Sequence, residues 1–436
     1  MPVVAIVGRP NVGKSTLFNA LVRDKRAIVG AQRGITRDSI YALLHLDEDL
    51  DVDLVDTGGF DTQLDSEISH AMRESTMRAI GDSDLLLCVF DAVSGITPDD
   101  AELVKVLRQT DAAVIYVANK VDDPNGALGA SMLYEMGIGE FVEISALNRS
   151  GLKEIEDRLR QRFSGQDAET LLRDDTALTR VVIMGRPNVG KSMLINRIAG
   201  KQRSIVSAEA GTTRDSVDIQ LTHHGHEYLF VDTAGMRRRT HIQDEIEHLS
   251  VGHSIRSAQR AHVCLVLIDP LEGITDQDRR LVSIIINHGR APLMVINKTD
   301  LIDATQKDRV GSDISYLMRY MPDLETIFVS ALTGNNVNRI FGMIDKLFEK
   351  ITMKISTPKI NRILQKIVDR NPPPLIRGKR PKFLYVTQTG SIPPTFRIVS
   401  NRPKDISQQY SKYISGAIKK DCGLEGVPVR IRFVKK

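Results

Sequence analysis

Cysteine is scarce in this chain of 436 residues: there are three, Cys88, Cys264 and Cys422, odd in number and far apart. That excludes a disulfide framework and a cysteine-ligated metal site. Cys88 and Cys264 fall inside apolar runs and are expected in the core. No apolar run approaches the ~18 residues that a spanning helix needs, which predicts a soluble protein. Met1 leads straight into an apolar run at 3–7, without the basic start and cleavage site of a secretory signal, so the cytoplasm is the expected compartment. Acidic residues are rare in one region only. Residues 353–436 hold 19 of the 59 Lys and Arg but 4 of the 55 acids, a local charge of +15 that leaves −11 for the remainder. A basic tail on an acidic body calls for an anionic partner. At 42% hydrophobic and 26% charged the chain is otherwise ordinary globular protein, long enough for about three domains of ~150 residues.

What is present comes twice. Gly8-Arg9-Pro10-Asn11-Val12-Gly13-Lys14-Ser15 returns as Gly185-Arg186-Pro187-Asn188-Val189-Gly190-Lys191-Ser192, displaced by 177. Gly34-Ile35-Thr36-Arg37-Asp38 returns as Gly211-Thr212-Thr213-Arg214-Asp215, and Asp56-Thr57-Gly58-Gly59 as Asp232-Thr233-Ala234-Gly235. Asn119-Lys120-Val121-Asp122 pairs with Asn297-Lys298-Thr299-Asp300, and Ser145-Ala146 with Ser330-Ala331. Five elements in one order mean a duplicated domain, too long for a solenoid repeat. We expect domains at 1–163 and 180–352, a polar acidic linker at 164–179, and a basic domain at 353–436. Apolar runs at 3–7, 52–55, 85–90 and 113–117, repeated at 181–184, 229–231, 263–268 and 293–296, read as buried strands between helical patterns. The fold class is α/β, with mostly parallel sheets covered on both faces and ligands at the carboxyl ends of the strands.

The first element is a phosphate cradle. G-x-x-x-x-G-K-S between strand and helix lets backbone N–H groups wrap phosphate oxygens at a helix start. Lys14 and Lys191 then reach the outer phosphates, and the Ser15 and Ser192 hydroxyls ligate magnesium. Thr36 and Thr213, in loops after the first helix of each copy, can bind magnesium through the hydroxyl and the γ-phosphate through N–H. Asp56 and Asp232 end buried strands and can hold magnesium through water, while Gly59 and Gly235 let the backbone approach the γ-phosphate. The N-K-x-D elements choose the base: guanine offers N1–H and its exocyclic amine to one carboxylate, that of Asp122 or Asp300. Sites built on such bonds discriminate by ~10⁴ or more. Ser145-Ala146 and Ser330-Ala331 are expected to supply backbone contacts to the guanine oxygen. These are GTP sites rather than ATP sites.

On these motifs the chain resembles the EngA/Der-type tandem GTPases, two P-loop GTPase domains followed by a small α+β KH-like domain, over essentially its whole length. The resemblance implies GTP hydrolysis and a role in assembly of the large ribosomal subunit, whose RNA would be the partner. It also implies Phe60 and Met236 at the position after D-x-x-G where signalling GTPases keep a water-orienting glutamine, hence slow intrinsic hydrolysis. Asn11 and Asn188 match the position where related GTPases bind potassium beside the phosphates; asparagine is equally a common turn former.

Three further segments carry charged or metal-ligating residue types. Residues 236–240, Met-Arg-Arg-Arg-Thr, either present switch-dependent charge to RNA or a neighbouring domain or form a solvated basic face. His223-His224-Gly225-His226 lies in a polar turn between strands and reads as a hairpin tip rather than a metal site. In the tail, helical spacing at 358–370, strands at 382–388 and 395–400, a helix at 404–420 and a strand at 429–434 give an α-β-β-α-β order. Its only G-x-x-G, Gly423-Leu424-Glu425-Gly426, contains an acid and precedes the last strand, unlike the clamp of a KH domain proper. Arg377, Lys379, Arg380 and Lys382 are the candidate RNA contacts, with docking on the acidic domains as the alternative use of that charge. No lipidation motif or long basic amphipathic helix is present, so no membrane association is expected, and the chain is expected to act as a monomer. A nucleotide-sensing scaffold with little turnover is the competing function; a tRNA-modification enzyme lacks a further catalytic constellation.

Overall fold

The computed structural model describes residues 1–24, 41–47, 50–57, 77, 79–110, 113–124, 126–164, 178–200, 204–205, 218–233, 251–303, 305–306, 308, 310–312, 314, 323–376 and 378–435. The chain forms two compact units, the first built mainly from residues 1–170 and the second mainly from 171–436.

In the first unit, β1 (Val3–Val7), β2 (Tyr41–His45), β3 (Asp51–Asp56), β4 (Leu85–Asp91), β5 (Val114–Asn119) and β6 (Val142–Ile144) form one sheet in the order β2-β3-β1-β4-β5-β6. Only β2 runs antiparallel, on β3; the other pairings are parallel. Every residue of β1 and β4 is buried, as strands covered on both faces must be. The helices are α1 (Lys14–Asp24), α2 (Pro98–Arg108), α3 (Gly126–Glu135) and α4 (Leu152–Phe163). In α4, Leu152, Ile155, Leu159 and Phe163 are buried, the spacing of one helix face turned to the core. Helix α2 starts in a capping box, Thr97 with Asp100.

The second unit repeats this plan. Strands β7 (Thr179–Met184), β8 (Ser204–Ile205), β9 (Ile219–His223), β10 (His226–Val231), β11 (Val263–Ile268), β12 (Ala291–Ile296) and β13 (Glu325–Phe328) lie in the order β13-β12-β11-β7-β10-β9-β8. Helices α5 (Lys191–Gly200), α6 (Val251–Gln259), α7 (Asp276–Asn287) and α8 (Arg339–Thr352) complete it. Strands β9 and β10 pair antiparallel with His223 opposite His226. His224 and Gly225 both have positive φ, 49° and 84°, so the histidine-rich segment is a tight hairpin tip as expected. Cys88 in β4, beside Val7, and Cys264 in β11, beside Val182, are both buried, and burial pushes both thiols up, Cys264 to about 12.

The basic tail forms α9 (Thr357–Arg370), β14 (Phe383–Ser391), β15 (Pro394–Ser400), α10 (Gln408–Cys422) and β16 (Arg430–Lys435). The α-β-β-α-β order is the expected one, with β15 central, antiparallel to β14 and parallel to β16. One expectation needs correction. The helix predicted at 404–420 is split: a 3-10 turn spans Pro403–Asp405, and α10 begins afterwards, behind Ser407, whose hydroxyl accepts from the Tyr410 N–H. The side-chain cap offers the chain a fresh helix start there.

This small sheet is not a separate bead. One apolar core runs from Val181, Leu194 and Phe230 of the second sheet domain through Ile344, Leu347 and Ile351 of α8. It continues into Ile360, Leu364, Val386, Phe396, Ile398, Ile414 and Ile418 of the tail. Polar ties reinforce it: Lys350 Nζ donates to Glu425 O at 2.5 Å, and Arg430 Nη2 to Asn287 O at 2.9 Å. Shared burial of this kind couples the folding of both parts. Ile351→Ala, at a fully buried position, should cost about 2–5 kcal/mol, and hydrogen exchange should show α9 and β11 losing protection together. Loss confined to the tail would contradict the common core.

Candidate functional site

Each glycine-rich loop leaves a buried strand and enters a helix, residues 8–13 between β1 and α1 and 185–190 between β7 and α5. Gly13 and Gly190 have φ of 98° and 99°. A Cβ on either would stand 2.3 Å from the amide nitrogen of Asn119 or Asn297. Glycine is required there by conformation and by space. Val12 and Val189 plug the loops into the core, while Asn11 and Asn188 take the left-handed backbone, φ 66° and 62°. That conformation alone suits asparagine. The lysines are nearly buried within the cradle. Lys14 Nζ donates to Gly8 O at 2.7 Å and Arg9 O at 3.0 Å; Lys191 Nζ does the same to Gly185 O and Arg186 O at 2.9 and 2.8 Å.

The N-K-x-D elements close on these loops from the ends of β5 and β12. Asn119 Nδ2 donates to Val12 O at 2.9 Å, and its Oδ1 accepts from the Ala146 N–H at 2.9 Å. Asn297 repeats both bonds, to Val189 O at 2.9 Å and from Ala331 N–H at 3.0 Å. Each asparagine thus ties the phosphate loop to the Ser-Ala loop through one buried amide. The Ala146 and Ala331 N–H groups, expected to meet the guanine oxygen, are engaged by asparagine instead, so that contact requires the bond to be shared or exchanged. Lys120 Nζ pairs with Asp91 at 2.6 Å and reaches Asn11 O at 3.1 Å; Lys298 pairs with Asp269 at 2.6 Å. Burial works to raise Asp91, but the Lys120 ammonium and the N–H groups of Val93 and Ser94 outweigh it and hold its carboxyl below the ordinary value. Asp122 and Asp300, the carboxylates expected to read the base, are exposed. Asp122 accepts from Asn148 Nδ2 at 2.8 Å and Asp300 from Ser330 Oγ at 2.5 Å.

The residues expected to attend magnesium present hard oxygen donors. Ser15 Oγ donates to Asp56 Oδ2 at 2.6 Å at the cradle's edge, a hydroxyl and a carboxylate that fit magnesium and its water shell. Asp232, by contrast, accepts from Ser257 Oγ of α6. Thr57 Oγ1 donates to Ile6 O at 2.7 Å, and Thr233 is buried. Thr36, Gly58, Gly59, Phe60, Thr213, Ala234, Gly235 and Met236, like the basic run 236–240 and Arg377, lie outside the described residues. Among the described residues no group of three histidine, cysteine or acidic side chains could hold a metal.

Several contributors were not foreseen. The Arg9 guanidinium turns from the cradle to buried Asp100 at 3.1 Å, and Arg186 to Asp278 at 3.2 Å and Glu272 at 2.5 Å. These arginines, counted among the nucleotide-binding residues, fix the loops to the capping boxes of α2 and α7 with their side chains, leaving only backbone for phosphate. A signal existed: Asp91, Thr97 and Asp100 recur as Asp269, Thr275 and Asp278, all displaced by 178.

In the tail, Lys379, Arg380 and Lys382 are exposed beside β14. The Gly423–Gly426 segment, beyond its exposed first glycine, is not. Leu424 is fully buried, and a Cβ on Gly426 would come 3.1 Å from Glu325 and 3.2 Å from Leu347. This G-x-x-G docks on the second sheet domain and is no nucleic-acid clamp. On the sheet face away from α9 and α10, Arg397 pairs in register with Arg432, both exposed, with Thr387 on the other side.

Comparison with known proteins agrees with this geometry. A family described as 50S ribosome-binding GTPase matches residues 3–120 and again 180–298. The KH-domain-like C-terminal domain of EngA bacterial GTPase enzymes matches 354–433. GTPase Der of Syntrophotalea carbinolica is 38% identical over 436 residues, covering 99% of this chain and 98% of that one. The chain belongs to the EngA/Der family of GTPases. GTPase Der of Geotalea daltonii is likewise 38% identical, over 99% of this chain and 98% of its own. Among solved structures, an Aquifex aeolicus Era variant bound to GDP and tetrafluoroaluminate is 26% identical, covering 60% of this chain and 93% of that one with a TM-score of 0.30. As a member of the EngA/Der family of GTPases, the chain hydrolyses GTP to GDP and phosphate. No helix among the described residues is long and apolar enough to cross a membrane.

The asparagine tie makes a direct test. Asn297→Ala strands Val189 O and the Ala331 N–H in a buried site, at about 1–3 kcal/mol for each unsatisfied group. Chemical denaturation of the second unit should register the sum, and guanine-nucleotide affinity there should fall while the first site is unaffected.

Proposed function

We propose that this GTPase is a two-site molecular switch that binds ribosomal RNA or precursor particles and assists assembly of the large ribosomal subunit, acting as a cytoplasmic monomer. The supporting observation is the duplicated asparagine tie. It makes the base-reading loop and the phosphate loop one piece in each copy, so each copy can hold one GTP. The family membership points the same switch at the ribosome. Lys14 and Lys191 neutralise outer-phosphate charge. Ser15, Thr36 and Asp56 in one copy, and Ser192, Thr213 and Asp232 in the other, attend magnesium, which when bound offsets charge between the outer phosphates. Asp122 and Asp300 select guanine. Phe60 and Met236 cannot orient water, so unassisted turnover is slow; potassium beside Asn11 or Asn188 supplies the positive charge that an arginine finger gives elsewhere, a contribution of ~10³–10⁵ in rate in that setting.

Contact with RNA is assigned to Arg377, Lys379, Arg380 and Lys382. The Arg397–Arg432 pair on the open face of the same small sheet adds support. Phosphate contacts of this kind weaken with salt at a slope of about −0.7 per contact on single strands. A switch must bind its target differently in its two nucleotide states.

The chain should cosediment with large ribosomal subunits in the presence of a non-hydrolysable GTP analogue and be released with GDP. Equal recovery in both states, or none in either, would defeat the switch reading and favour a scaffold. Exchanging potassium for sodium should slow steady-state hydrolysis, by up to ~10³-fold, the lower figure for such a charge. Equal rates would leave Asn11 and Asn188 as turn formers alone.

A further inference from the structure

The magnesium corners of the two copies differ in a way that their shared motifs do not disclose. In the first, Asp56 is the last residue of β3 and its carboxylate already accepts from the Ser15 hydroxyl at 2.6 Å. In the second, Asp232 has left the strand conformation. Its φ is +61°, its N–H donates to Asp218 Oδ1 at 3.0 Å, and its Oδ2 accepts from Ser257 Oγ at 2.5 Å. Asp218 is steadied in turn by Arg260 Nη2 at 2.7 Å. Backbone and side chain of Asp232 are therefore gripped from two directions, by the start of β9 and by α6.

Among the described residues the first copy shows no equivalent set. By the sheet register Asp218 corresponds to Tyr41, since Phe230 faces Ile219 as Leu54 faces Ala42. Along the run into β11, at the displacement of 178 that relates β4 to β11, Ser257 corresponds to Ala79 and Arg260 to Asp82. Neither tyrosine nor alanine could accept or donate these bonds in the same way. A charge-assisted hydrogen bond to a carboxylate has to be exchanged before that carboxylate can turn to another partner.

We propose that Ser257, with Asp218 and Arg260, is a positioning residue that holds Asp232 away from the magnesium shell, so that the second site closes on magnesium less readily than the first. The proposal rests on the assignment of Ser192 and Asp232 to magnesium made above. Its consequence is an order of filling. At limiting magnesium the first site retains nucleotide and the second releases it; as magnesium rises, Asp232 leaves Ser257 and the second site closes. Ser257 does not touch nucleotide in this scheme. It sets the concentration at which Asp232 becomes available.

The full-length chain carrying Lys14→Ala reports on the second site alone, and the magnesium concentration for half-retention of fluorescent GDP is the measurement. Ser257→Ala should lower that concentration about tenfold, the factor expected from losing one hydrogen bond to a charged group, while Ser257→Thr, which keeps the hydroxyl, should stay near the parent. In a Lys191→Ala background, which reports on the first site, Ser257→Ala should leave the curve in place. Arg260→Gln, at a partly exposed position that loosens Asp218 from outside, should shift the second site in the same direction and supplies the test if Ser257→Ala folds poorly. An unmoved midpoint in the variants, or equal movement at both sites, overturns the latch while leaving magnesium at the second site standing. Retention independent of magnesium in the Lys14→Ala parent overturns the magnesium assignment itself.

Discussion

Two buried amide side chains, Asn119 and Asn297, are the point on which each nucleotide site turns. A single carboxamide satisfies a carbonyl of the phosphate loop with its nitrogen and an N–H of the Ser-Ala loop with its oxygen. Because the donor and the acceptor belong to one rigid plane, neither loop can shift without costing a buried hydrogen bond. The glycines at 13 and 190 follow from it, since the amide occupies the volume that any Cβ would need. So does the reach of the neighbouring lysines, whose pairing with Asp91 and Asp269 brings the end of the next strand into the same bonded cluster.

Around this shared kernel the copies have diverged in their supports. The first carries an Asn148–Asp122 pair where the second uses Ser330 with Asp300. The first aligns its strand-end aspartate with the cradle serine, and the second holds its own against α6. Duplication kept the asparagine ties and the lysine–aspartate pairs and changed the supports around them.

Much of this was legible from residue order alone. The strands at 3–7, 85–90 and 263–268 announced themselves as unbroken apolar runs, because both faces of a parallel sheet are covered. Edge strands such as β2, β6 and β13 did not, being short and only partly buried. Motif spacing pointed to the two glycine-rich loops and to Asp122 and Asp300. It was silent on Arg9, which looks like a phosphate ligand in the linear motif yet is committed to Asp100 some ninety residues on, a pairing only tertiary packing creates. The same holds for Ser257 and Asp218, ordinary polar residues until folding brings them to Asp232. In the tail, the G-x-x-G was visible as a pattern, but its use as a docking loop depends on Leu347 and Glu325 lying beneath it.

The continuous core has a bearing on how such a chain can be shortened. Ending it before α9 would not detach an accessory; it would uncover Leu347, Ile351 and their neighbours along one flank of a catalytic domain. Apolar surface of that extent invites self-association. A GTPase trimmed to its two nucleotide modules would thus trade a basic end for an adhesive one, because the small terminal sheet closes off its neighbour's interior.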